Sequence, residues 1–254
     1  MKNINISALL AVLFIISSCS PKTSGFKSNL SNSKADQIIS KSIQAHGGIA
    51  YEKETIQFIF RKNNYIFSHP DGGYLYQSTK TSKDGSEIID VLDNGVFTRK
   101  INGSEKSLSD KDIRRFSDGL NSVIYFASLP YKLSDKAVSK KYFDEVTIKG
   151  KKYHELEITF SEEDGGTDHD DVFHYWIAHD DYTIDYLAYS YQVNGGGVRF
   201  RSAFNPSVVA GIRFQDYINF KAPVGTPLEN LPELYESGKL KELSRIITES
   251  ITQL

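Results

Sequence analysis

Cysteine is nearly absent from this chain, with one in 254 residues, at position 19. A lone thiol has no partner within the chain, so no intramolecular disulfide can form and any core must hold by packing. Neither sign of charge dominates: 30 Lys and Arg stand against 32 Asp and Glu, a formal −2. That leaves no electrostatic reason to expect nucleic acid as a partner. The apolar run from Ile6 to Ile16 is too short to span a bilayer. There is no G-x-S-x-G nucleophile elbow, no HExxH pair and no glycine-rich phosphate loop. Gly195-Gly196-Gly197 lies between two strand patterns and reads as a turn. No catalytic constellation and no cofactor are therefore expected, and no repeat of fixed period is present.

Aromatic residues are plentiful, with 15 Tyr and 15 Phe beside a single Met and a single Trp. Such usage favours sheet over helix, and tyrosine suits a partly open groove because its ring is buried while its hydroxyl stays wet.

The chain begins as a processing segment. Lys2, the apolar stretch to Ile16 and the small Ser17-Ser18 before Cys19 describe a signal peptide. The sequence ISSC resembles the bacterial lipobox, which implies that Cys19 is lipidated and becomes the first mature residue. The alternative is a plain secretory peptide whose Cys19 is discarded. Residues 1–18 are thus read as the signal peptide, 19–32 as the lipidated cysteine with a Ser-, Gly-, Lys- and Asn-rich tether, and 33–254 as one domain. The same resemblance, with Ser20 in place of a retention aspartate, implies an outer-membrane anchor. The absence of an acidic cluster just behind Cys19 points to the periplasmic side.

Ser33 is placed to cap a helix whose apolar positions, Ala35, Ile38, Ile39, Ile43 and His46, recur at helical spacing until Gly47-Gly48 stops it. From Tyr51 the period changes to that of short strands, broken at Asp84-Gly85, Asn94-Gly95 and Asn102-Gly103, which accept the positive φ of tight turns. Ser109 then opens a second helix with a wide apolar stripe: Ile113, Phe116, Leu120, Val123, Ile124 and Ala127. Gly119 interrupts it, at a cost in stability or in return for close contact with a sheet. Strands resume at 145–149 and 153–160, with a tight turn at Lys149-Gly150-Lys151, and again at 172–178, 182–192, 198–204 and 211–220. Short helices are expected at Glu229–Glu236 and around Leu240, Leu243, Ile246 and Ile247.

The block 172–220 carries the most information. In VRFRSAF, Val198, Phe200, Ser202 and Phe204 share one side and Arg199, Arg201 and Ala203 the other. The expected architecture is α+β, mainly β: a strongly curved antiparallel sheet with one apolar face and the second helix lying over it as a lid. Asp216 interrupts the apolar face of IRFQDYINF, where a lone charge is costly, and Arg199 and Arg201 are its expected partners. The expected ligand cavity lies between Phe116, Leu120 and Ile124 on the helix and Tyr175, Tyr186 and Phe200 on the sheet.

Two clusters invite a metal reading. Asp164, Asp168 and Asp170 in the acidic run EEDGGTDHDD form a calcium candidate, but their spacing departs from the EF-hand order, and a solvated hairpin loop explains the run. His169, His174 and His179 are spaced by five, which alternates faces on a strand, so no zinc site is expected from them.

Taken together, the lipobox, the tether, a first helix ending His46-Gly47-Gly48, a strand meander, a helix ending Leu129-Pro130, the aromatic block and Gly211-Ile212-x-Phe214-x-Asp216-Tyr217 resemble a family of uncharacterised bacterial lipoproteins. Its fold is similar to that of the outer-membrane lipoprotein carrier and its receptor. Over about residues 34–250 this resemblance implies an incomplete barrel with helices in its concave face and an apolar cavity for acyl chains. The implied function is an envelope protein, anchored to the membrane through its lipid, that binds or transfers a lipid or lipoprotein acyl group. An interaction module whose cavity is filled by its own helices is the alternative. A glycan or lipid hydrolase would need Asp216 and a histidine within hydrogen-bonding distance.

Overall fold

The computed structural model describes residues 33–161, 171–192 and 195–254. Cys19, the tether, His169 and the calcium candidate Asp164, Asp168 and Asp170 lie outside them. The chain divides at Leu30 and Ser31 into two units, and the described residues fall in the second.

Helix α1 runs Lys34–His46, capped as expected by the Ser33 hydroxyl, which accepts from the Asp36 amide at 3.1 Å. It ends because Gly47 takes φ +151°, and because a Cβ there would stand 3.2 Å from the Gly211 carbonyl. Two glycine-bearing stretches far apart in sequence therefore meet backbone to backbone. A four-residue helix, α2 (Ala50–Lys53), leads into the sheet region.

The first sheet is built from β1 (Ile56–Phe60), β2 (Asn63–Ser68), β3 (Leu75–Thr81), β4 (Glu87–Asp93), β5 (Val96–Ile101) and β6 (Ser104–Glu105), a meander joined by tight turns. Helix α3 (Asp110–Ala127) follows, its N-cap Ser109 accepting from the Asp112 amide at 3.2 Å. A second meander comprises β7 (Val138–Ile148), β8 (Lys151–Phe160), β9 (Val172–Ala178), β10 (Ile184–Tyr191), β11 (Gly197–Val209) and β12 (Ile212–Ala222). After the short α4 (Leu231–Glu236), strand β13 (Lys241–Ile246) adds to β12, and β14 (Glu249–Gln253) crosses to pair with β1.

This arrangement corrects the expected single, strongly curved sheet or incomplete barrel. Among the described residues the strands form two separate seven-stranded antiparallel sheets, β14-β1-β2-β3-β4-β5-β6 and β13-β12-β11-β10-β9-β8-β7. Helix α3 is inserted between β6 and β7, and no ladder joins those strands. The expected helix around Leu240 to Ile247 is strand instead. Its apolar spacing is compatible with either period, and the open edge of β12 supplies hydrogen bonds that an isolated short helix lacks.

Packing corrects a second expectation, that the 172–220 block has one apolar face. Both faces of the second sheet are buried. Phe173, Tyr175, Ile177 and Leu187 pack under α1, against Ile38, Ile39 and Ile43. Trp176, Tyr186, Val198 and Phe200 pack on the other face with Leu228 and Leu231. Helix α3 lies on β3, β4 and β5, where Leu120 and Ile124 join Phe58, Phe67 and Tyr76.

Candidate functional site

The wide apolar stripe of α3 faces two ways. Leu120 and Ile124 enter the core of the first sheet with Val123 at its margin, whereas Phe126 packs against the second, and Val123 and Phe126 both line the space between. Between them and β9 to β12 lies a cleft of about 420 Å³, walled by Phe58, Phe60, Val123, Phe126, Phe173, Tyr189, Phe214 and Tyr217. Arg61, Arg199, Arg201 and Asp171 also line it. A second cavity of about 570 Å³, lined by Asn121, Lys132 and Asp135 among others, adjoins it at Phe126 and Phe173.

Arg201 is the most constrained polar group of the cleft. Its residue is 7% exposed. One guanidinium N–H donates to the Tyr189 hydroxyl at 2.9 Å, and the guanidinium carbon lies 3.9 Å from the centre of the Phe126 ring. Its Nε–H is buried and has no hydrogen-bond partner among the described residues. No carboxylate among those residues forms an ion pair with it. A cation–π contact offsets part of the desolvation, on the order of 2 kcal/mol, but a buried ion costs several. Arg199, one pleat away on the same face, donates to the Tyr191 hydroxyl at 2.5 Å and to its neighbour's carbonyl, Val198 O, at 3.1 Å. A guest with apolar bulk and one anionic group would satisfy both the aromatic walls and these donors.

Asp216 does not meet the arginines in an ion pair. Its carboxylate accepts from Asn205 Nδ2 at 2.8 Å and from the Thr248 amide at 2.9 Å, tying β12 to the crossing between β13 and β14. Of the residues expected around the cavity, Tyr175 lies in the core under α1, its hydroxyl 2.8 Å from that of Tyr125. Tyr186 and Phe200 are on the opposite face of the second sheet, beside Tyr235. Phe116 packs on Phe97 beneath the Arg99 guanidinium. Val123 belongs to the apolar stripe read from the sequence, whereas Phe126 lies outside that stripe and was missed.

The described histidines lie away from the cleft. His46 is 1% exposed, and its Nε2 accepts from the Ile184 amide at 3.1 Å. Burial pushes its pKa down to about 3, with the charge of Arg213 adding to the effect. His69 Nδ1 donates to the Tyr51 carbonyl at 2.8 Å, and burial holds it at about 4. His174 is buried 2.7 Å from Glu155. The juxtaposition a hydrolase would need, Asp216 bonded to a histidine, is not found among the described residues. Nor does any described helix have the length and apolarity to cross a membrane.

The model of a family of unknown function, DUF6503, matches residues 13–248. No curated protein matches the sequence. Among solved structures, the chain is distantly similar to a LolA superfamily protein from Nitrosomonas europaea, at 12% identity and a TM-score of 0.45 over 85% of this chain and 92% of that one. A Vibrio parahaemolyticus domain named for outer membrane lipoprotein sorting gives 8%, 0.45, 86% and 93% in the same order. The MucA/MucB complex of Pseudomonas aeruginosa gives 12%, 0.25, 81% and 63%.

Proposed function

The chain belongs to the family of unknown function DUF6503, and on that premise we propose that it is a non-catalytic, lipid-anchored interaction protein of the cell envelope. Its partner enters the cleft between α3 and the second sheet with an apolar segment that carries an acidic group. The observation that carries this reading is Arg201, buried among aromatic rings with its Nε–H unpaired and no ion-pair partner among the described residues. The anchor at Cys19, the tether of residues 19–32 and an outer-membrane location facing the periplasm belong to the same proposal and rest on the sequence.

A lipid or acylated ligand is the second reading, favoured by the same combination of aromatic wall and cation. A photoreactive phenylalanine analogue at Val123, introduced in the producing cells, separates the two. A discrete protein adduct that weakens with Arg201→Met supports the interaction protein. Lipid adducts alone transfer the cleft to the second reading, and an absence of both removes the cleft from function.

A further inference from the structure

We propose that Glu145, His154 and His179 form a divalent-metal site on the α1 side of the second sheet, with donor chemistry suited to zinc. The hairpin register sets Glu145 directly across from His154, and His154 across from Ile177. His179 lies two residues beyond Ile177, and its amide donates to the Lys152 carbonyl at 3.0 Å, which keeps it in line with β9. Three strands therefore deliver the three side chains to one face. One ligand atom from each lies within 4.8 Å of the other two.

The polar satisfaction of these groups is what points to a ligand. His154 is 5% exposed, and its Nδ1 has no hydrogen-bond partner. The Nε2 of His179 is buried too, and the acceptor beside it is the Glu145 carboxylate, 3.5 Å away. The two rings lie 4.0 Å apart between centres at 36°. A buried imidazole nitrogen with no partner, beside a second whose acceptor is a carboxylate 3.5 Å away, is an expensive arrangement for a purely structural cluster, because buried polar atoms are ordinarily paired.

Two imidazoles and a carboxylate are a three-ligand zinc set that leaves a fourth position for water. Zinc bonds of about 2.0–2.1 Å put tetrahedral donor atoms roughly 3.4 Å apart. Rotation of the more exposed Glu145 and His179 side chains about the fixed His154 closes the remaining distance. The site is bordered by Lys34, whose ammonium is 3.5 Å from Glu145 and 3.7 Å from the centre of the Tyr142 ring. Tyr182 stacks on His154, and its hydroxyl accepts from Lys41. Lys34 competes with a cation for Glu145 and is therefore the natural counter-test.

The full-length chain in detergent, stripped with chelator, is titrated with Co²⁺ and then with Zn²⁺ in competition. The expected result is the visible absorption of four-coordinate Co²⁺, displaced by Zn²⁺. His154→Gln and His179→Gln should each abolish that band and weaken Zn²⁺ binding by about tenfold or more, while Lys34→Ala tightens it. His179 is the more exposed ring, so its variant keeps the test sound should His154→Gln fold poorly. The proposal is overturned by no band in either the wild type or Lys34→Ala, or by a band that survives both histidine substitutions.

Discussion

Arg201 and His46 are both buried polar residues, but the fold provides for them differently. The Nε2 of His46 accepts from the Ile184 amide, while its Nδ1 is buried with no hydrogen-bond partner among the described residues. Arg201 keeps its charge with one hydroxyl, two rings and no ion pair among the described residues. Replacing a buried ion by an apolar side chain of similar volume is often neutral or stabilising by about 1–4 kcal/mol. Arg201→Met should therefore melt no lower than the wild type while weakening the Val123 crosslink; a marked fall in Tm would make Arg201 a structural residue instead. The His46 effect is one of pH. Its folded pKa of about 3 lies below the unfolded value of 6.5, so the unfolded chain binds the proton first. The stability it contributes is complete above pH 6.5 and is lost as pH falls toward 3. Thermal melts between pH 7 and 4 should show a steeper decline for the wild type than for His46→Gln, and parallel slopes would contradict this. The helix position of His46 was readable from its spacing, but its acceptor role was not, because the Ile184 amide lies 138 residues away.

Helix α3 shows how one element serves two surfaces. Its N-terminus follows from Ser109 and Asp112, and its length from the apolar recurrence. Which residues face the cleft depends on there being a sheet on each side of it. Gly119 settles one question at this scale. Nothing stands within 4 Å of the Cβ it lacks, so it makes no close contact with a sheet and simply weakens the helix. Gly119→Ala should raise stability by about 0.5–1 kcal/mol, measured by urea denaturation, without altering the cleft. The hairpin of β7 and β8 is a similar case. Its turn was readable at Lys149-Gly150-Lys151, but the register that sets Glu145 across from His154 comes from the structure. That His179 joins them depends on how β9 registers on β8 after a long acidic connection, and local pattern does not encode that.

For the molecule as a whole, the end of the chain links the sheets. Strand β13 extends the second sheet, Thr248 is held by Asp216, and β14 then covers the open edge of β1 in the first. Removing residues 248–254 should leave β1 as an unpaired edge. Amide exchange should then accelerate first across Ile56–Phe60, with aggregation following as that edge finds other strands. Unchanged protection there would mean that β14 is dispensable to the first sheet. The expectation of one curved sheet came from elsewhere. Sequential hairpins imply adjacency, and that inference held within each meander but failed across α3, where no strand pairing follows from sequence order.

From its residues alone this chain declared its caps, its turns, the extent of α1 and α3 and most strands of the aromatic block, because these depend on neighbours a few positions apart. Composition also ruled out disulfides within the chain. Tertiary structure decided that there are two sheets, that both faces of the second are buried, and that Asp216 answers to Asn205 and Thr248. It decided, too, that Arg201 is left facing aromatic rings and that Glu145, His154 and His179 meet. Each of these depends on pairing between segments tens of residues apart or more, where alternation says only that a side chain lies on one face or the other, and packing chooses which face meets what.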